Sequence, residues 1–267
     1  MGETFSQILY TAKASDVTSL SRATTGTIKV PEGLDGRLKR ILATVFGVMT
    51  TVVNAGGLVE IVNDSVKGME CSFVAGGGTA VTEGGANQNE PQVLEVDYPL
   101  VGGSTYTIYY TPQNVQSQGL CIELEYEKGG KPDPSRANHV KADMVLKASA
   151  ISQITVDEAH NTIDIPKGHG GVLMSTEVMV FPTLETVVNA GGKVVIHNTV
   201  EAWKPFEQVV GGGIALGASG GYQIKPNKRA CNKPLSGNST VTLDYTPRDN
   251  QSQCLGLTLF WRGKDPT

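Results

Sequence analysis

The chain contains itself twice. Thr51-Val52-Val53-Asn54-Ala55-Gly56-Gly57 recurs as Thr186-Val187-Val188-Asn189-Ala190-Gly191-Gly192, at an offset of 135 residues. The same offset carries Thr27-Ile28 and Pro31 onto Thr162-Ile163 and Pro166, and Gly76-Gly77-Gly78 onto Gly211-Gly212-Gly213. It also carries Tyr110-Thr111-Pro112 onto Tyr245-Thr246-Pro247, and Gln116-Ser117-Gln118 onto Gln251-Ser252-Gln253. From Thr27 onward, without a gap, about 40 of roughly 106 aligned pairs are identical, the mark of an internal duplication. Whatever one copy folds into, the other must fold into as well. Each unit, at roughly 110–130 residues, is long enough for a core of its own.

Both copies alternate apolar and polar residues with a period of two. Val59 and Ile61 match Val194 and Ile196; Tyr106, Ile108 and Tyr110 match Val241, Leu243 and Tyr245; Ile122, Leu124 and Tyr126 match Leu257, Leu259 and Trp261. Such alternation predicts strands with one buried face. Outside a short piece of the N-terminal segment, no helical period competes. Runs between breakers place strands near 26–31, 37–48, 58–63, 69–75, 92–98, 104–111 and 120–127, with one more from the N-terminal segment. The expected fold is all-β: two tandem jelly-roll-like antiparallel β-sandwiches. The expected divisions are an N-terminal arm at 1–26, a first sandwich at 27–128, a linker and arm-like segment at 129–161, and a second sandwich at 162–267. Asn54-Ala55-Gly56-Gly57 reads as a tight turn, and Gly76-Gly77-Gly78 as a loop with positive φ.

A catalytic or metal site inherited by both copies would sit at matched positions, and the sequence offers none. His139, His160, His169 and His197 align with Thr4, Thr25, Leu34 and Val62, and no HxH or HExxH motif is present. The glycine runs lack the Lys-Ser/Thr ending of a phosphate-binding loop. Neither GxSxG nor a calcium loop occurs. Cys71, Cys121, Cys231 and Cys254 show no CxxC spacing and read as small apolar residues. The reading is therefore non-enzymatic, without cofactor or metal. Aromatic residues make up 6% of the chain, and both tryptophans lie in the second copy, so paired sugar-binding platforms are not expected. A net charge of −4 offers no general attraction for nucleic acid. The first residues show no basic and apolar leader, and no membrane span is read.

The copies differ most in charge. Residues 1–134 carry 9 basic and 15 acidic groups, a net of −6, and residues 135–267 carry 13 and 11, a net of +2. Glu90, Glu95 and Asp97 become Lys225, Ala230 and Asn232, and the second copy adds Lys228, Arg229 and Lys233 nearby. On the last strand, Glu123 and Glu125 become Thr258 and Phe260. Opposite charge on equivalent surfaces would steer copy one of one subunit against copy two of the next. The expected subunit interface is therefore Glu90, Glu95 and Asp97 against Lys225, Lys228, Arg229 and Lys233. Phe260 is expected to be exposed and to make a contact of the second copy alone.

Two sandwiches of jelly-roll length, a short breaker-rich linker (Lys128-Gly129-Gly130-Lys131-Pro132-Asp133-Pro134-Ser135) and an N-terminal segment before the first repeat resemble a known family. It is the double jelly-roll major capsid proteins of icosahedral viruses, particularly the compact ones of prokaryotic, including archaeal, viruses. The resemblance covers nearly the whole chain as architecture, without a diagnostic motif. It implies a capsid protein of the virion, made in the host cytoplasm, whose partners are itself and other virion proteins. It further implies homotrimers of pseudo-hexameric outline that self-assemble into a shell, with membrane contact through the N-terminal arm, where Phe5, Leu9 and Tyr10 would be anchors. The rolls of that family usually share little sequence, whereas these copies are plainly alike. Competing readings are an accessory virion protein (turret, spike or decoration) and a tandem carbohydrate-binding or adhesion module.

Overall fold

A computed structural model describes residues 4–13, 23–47, 55–63, 65–66, 70–78, 91–112, 118–131, 138–147, 162–182, 190–201, 206–213, 227–247 and 253–263. They form sixteen strands and, among the described residues, no helix. The first copy holds β1 (Thr4–Lys13), β2 (Ala23–Lys29), β3 (Gly36–Gly47), β4 (Ala55–Asn63), β5 (Glu70–Gly78), β6 (Gln92–Leu100), β7 (Thr105–Pro112) and β8 (Gln118–Lys128). The second holds β9 (Asn138–Lys147), β10 (Thr162–Asp164), β11 (Gly171–Pro182), β12 (Ala190–Asn198), β13 (Phe206–Gly213), β14 (Asn227–Leu235), β15 (Thr240–Pro247) and β16 (Gln253–Gly263).

The first copy pairs as β1-β8-β3-β6 and β2-β7-β4-β5, and the second repeats that order as β9-β16-β11-β14 and β10-β15-β12-β13. All described ladders are antiparallel. Eight strands in two sheets, with the eighth between first and third and the seventh between second and fourth, make a jelly roll. The chain is two of them in tandem. The buried faces are those the alternation predicts: Val59, Ile61, Tyr106, Ile108 and Ile122 in one core, and Val194, Ile196, Val241, Leu243, Leu257 and Trp261 in the other.

The strand expected from the N-terminal segment is β1, paired with β8 from Thr4↔Glu127 to Lys13↔Gln118, and the arm-like segment before the second repeat supplies β9 on β16 in the same way. β3 and β11 cover only one side of these last strands, so the other row of backbone donors and acceptors recruits a strand. The glycine runs, by contrast, are not free turns or loops. Ala55, Gly56 and Gly57 open β4 and pair with Gly78, Gly76 and Ala75 of β5, around a bulge at Ala55/Gly56. A Cβ on Gly57 would collide with the Thr111 carbonyl, so glycine serves close approach there. Asn54 lies outside the described residues.

The duplication also preserved a buried polar clasp. Asn63 Nδ2 donates to Ser104 Oγ (3.0 Å), Asn63 Oδ1 accepts the Ser65 amide (3.0 Å), and Ser104 Oγ donates to the Val101 carbonyl (2.6 Å). In the second copy Asn198 Nδ2 donates to Ser239 Oγ (2.9 Å), its Oδ1 accepts the Val200 amide (2.9 Å), and Ser239 Oγ donates to the Ser236 carbonyl (2.6 Å). Each Asn ties a strand end to the hairpin beside it. Asn63→Ala and Asn198→Ala should each destabilise their own sandwich by about 1–3 kcal/mol, because a buried hydroxyl and amide lose their partner. Denaturant midpoints of the two single variants check this.

Candidate interaction surfaces

The two sandwiches meet through unlike surfaces. On the second, the outer face of the β16 sheet presents Gly256, Thr258 and Phe260. On the first, the Val74 amide of β5 donates to Thr258 Oγ1 (3.2 Å), and Gln92 Nε2, at the start of β6, reaches Glu177 Oε2 (3.5 Å). A Cβ on Gly256 would meet the two Val74 methyls at 2.5 and 2.6 Å, so the absence of a side chain sets how closely the sandwiches approach. Phe260 packs against the first core. The contact expected of Phe260 is thus made within the chain. The exposed ring read from the sequence is half-buried because copy one lies over it.

The remaining predicted interface residues do not form two uniform patches. Asp97 is only 3% exposed and accepts two hydrogen bonds from Arg37, at 2.5 Å from Nε and 3.0 Å from Nη2. Glu95 stays exposed but shares Arg40 with Glu125, at 2.9 and 3.1 Å. Lys228 pairs with Glu177 (3.1 Å) and lies 4.9 Å from the centroid of the Phe260 ring. Arg229 and Lys233 stand opposite Thr176 and Leu173, residues fully buried between the sheets, so they belong to the other face of β14. Glu90 and Lys225 lie outside the described residues. A strand sends successive side chains to opposite faces, so a charged run in sequence divides in space.

The difference between the copies on the last strand gives the β8 sheet an acidic outer face. There Glu123 and Glu125 stand where the second copy has Thr258 and Phe260, and Cys121 stands opposite Thr44 where Gly256 would be. The loss of both charges on the last strand of the second copy is the signal for it. Cys71, Cys121 and Cys231 are free thiols; burial, with Glu70 adding to it, pushes Cys71 up to about 12. Among the described residues no group of three or more His, Cys, Asp or Glu could hold a metal ion, and no helix is long and apolar enough to cross a membrane.

No protein-family model matches the chain, and no curated protein matches it in sequence. Among solved structures, a chain of Sulfolobus turreted icosahedral virus aligns over 98% of this chain and 91% of its own, at 11% identity and a TM-score of 0.41. Peptide:N-glycanase F aligns over 97% of both chains, at 12% identity and a TM-score of 0.45. The CBM22-1–CBM22-2 tandem of Paenibacillus barcinonensis Xyn10C covers 97% of this chain and 94% of its own, at 9% identity and a TM-score of 0.24. Likenesses this distant do not choose among functions.

Two measurements test the surfaces. Arg37→Met should cost about 3 kcal/mol, because it removes the two hydrogen bonds and the charge that Arg37 supplies to the buried Asp97 carboxylate. Arg40→Met, at an exposed pair, should cost under about 1 kcal/mol in the same urea titration. Gly256→Leu should separate the sandwiches without unfolding either one. Small-angle scattering should then give a larger radius of gyration with an unchanged far-ultraviolet spectrum.

Proposed function

We propose that the chain is a virion structural protein and, within that class, the main shell-forming subunit, assembling as homotrimers of pseudo-hexameric outline. The observation that supports this most is the contact between the sandwiches. It joins the β5–β6 edge of copy one to the β16 sheet of copy two, so it is heterologous. Repeating a heterologous contact from chain to chain produces a ring or a filament. The same operation applied again would set the β13–β14 edge of one chain on the β8 sheet of the next. Three chains would then place six like sandwiches around one axis.

Charge gives that second contact its order. Glu123, Glu125 and Glu95 line the receiving face with Arg40 bridging the last two, whereas the arriving edge begins with Lys228, paired to Glu177, and Arg229, with Lys225 just before them in sequence. Unlike the close-packed seam inside the chain, such a contact between opposite charges weakens with salt. The partners in this reading are further copies of the chain and other virion proteins, and the site of action is the virion. Membrane contact, if the shell encloses one, is not assigned to Thr4–Lys13, which are committed to β1.

Light scattering and negative-stain images of the purified chain at low salt test the reading. Trimers or larger closed arrays are expected, and they should dissociate when Lys225, Lys228 and Arg229 are reversed to Glu. A monomer at all salt concentrations, or assembly indifferent to the reversal, would overturn it.

A further inference from the structure

The two sandwiches share a backbone but not an interior. At one end of the first, Ile41, Phe73, Leu94, Val96 and Tyr98 close the core, each no more than 4% exposed. At the 135-residue offset their counterparts are Thr176, Gln208, Arg229, Cys231 and Lys233. The register is unchanged: Ile41 stands opposite Leu94 as Thr176 stands opposite Arg229, and Leu38 opposite Tyr98 as Leu173 opposite Lys233. Five core side chains have therefore been replaced by a hydroxyl, an amide, a thiol and two cations at the positions that face the core in the first copy. Burying an apolar side chain is worth about 1.5–3 kcal/mol, so the exchange removes several such contributions from one end of one sandwich.

The polar residues are organised. Gln208 is 5% exposed; its Oε1 accepts from Thr176 Oγ1 (3.2 Å), and its Nε2 donates to the carbonyl (2.8 Å) and side-chain (2.5 Å) oxygens of Asn227. They form a satisfied floor. Above it Arg229, Cys231 and Lys233 alternate along the edge strand β14, about 7 Å from one to the next. Arg229 is exposed, and Cys231 and Lys233 are half-buried.

We propose that the β13–β14 mouth of the second sandwich is an anion-binding site. Arg229 and Lys233 bind the charge, Thr176 and Gln208 form the floor, and the ligand supplies anionic oxygens. A guanidinium and an ammonium on the same face of one edge strand, flanking Cys231, suit a phosphate- or sulfate-class oxyanion or a carboxylate. The thiol between them feels both the floor and the cations: burial raises the Cys231 pKa, and hydrogen bonding with Thr176, then the charges of Arg229 and Lys233, pull it back down.

Cys231 is therefore a reporter in place. The full-length chain is alkylated with iodoacetamide at constant ionic strength while inorganic phosphate is titrated, and each cysteine is followed by peptide mass spectrometry. At ten times its dissociation constant, phosphate should slow Cys231 by about tenfold and leave Cys121 unchanged. Arg229→Gln/Lys233→Gln should abolish the protection at unaltered far-ultraviolet spectrum. If protection arises only on assembly and is lost in Glu123→Gln/Glu125→Gln, the oxygens are carboxylates of a neighbouring copy. No protection in either arm would mean that the cations only guard a sheet edge, and the proposal fails. Because the phosphate arm runs on dilute chain, it stands or falls independently of the shell reading.

Discussion

The last strand of each repeat slots between the first and third strands of its sheet, and the rest of the structure depends on that insertion. β8 is bonded to β1 on one side and β3 on the other, and β16 to β9 and β11. A central strand satisfies both rows of its backbone groups, whereas an edge strand leaves one row exposed. The pairing brings together residues from opposite ends of a repeat. Its loop-closure cost is met once, after which both sheets can face each other across a core. It also requires close approach at the sheet ends: a Cβ on Gly36 or Gly171 would collide with the carbonyl of Glu127 or Arg262.

On that shared frame the copies have taken different parts. The first has a closed apolar interior and a charged outer face on β8. The second has a partly polar interior, and its β16 face is covered by copy one. The burial lost inside the second sandwich is offset in part outside it, where Gly256, Thr258 and Phe260 receive Val74 and the first core. The copies are therefore not interchangeable, and the chain has a direction. A heterologous internal seam and an unlike pair of outer surfaces follow from that direction.

Much of this was legible beforehand. Period-two alternation located the strands of both repeats, because one buried face leaves a mark at every second residue. The buried position of Trp261 was read correctly for the same reason. The N-terminal strand was harder to place, since its partner lies more than a hundred residues away and nothing local announces it. The charged residues divide between faces and partners because proximity along a strand is not proximity in space. Asp97 went under Arg37, Lys228 to Glu177, and Arg229 and Lys233 to the opposite face of β14. Phe260 looked exposed because its own sandwich does not cover it.

Repetition and alternation along the chain were sufficient for two β-sandwiches of equal design, since backbone hydrogen bonding and one-sided burial leave few other solutions for such a pattern. Which charges remain on the surface, which edge is sealed by the neighbouring sandwich, and that the second interior opens onto two cations emerged only from the folded chain. Those properties depend on side chains from strands far apart in sequence meeting at one place, and no local period records such meetings.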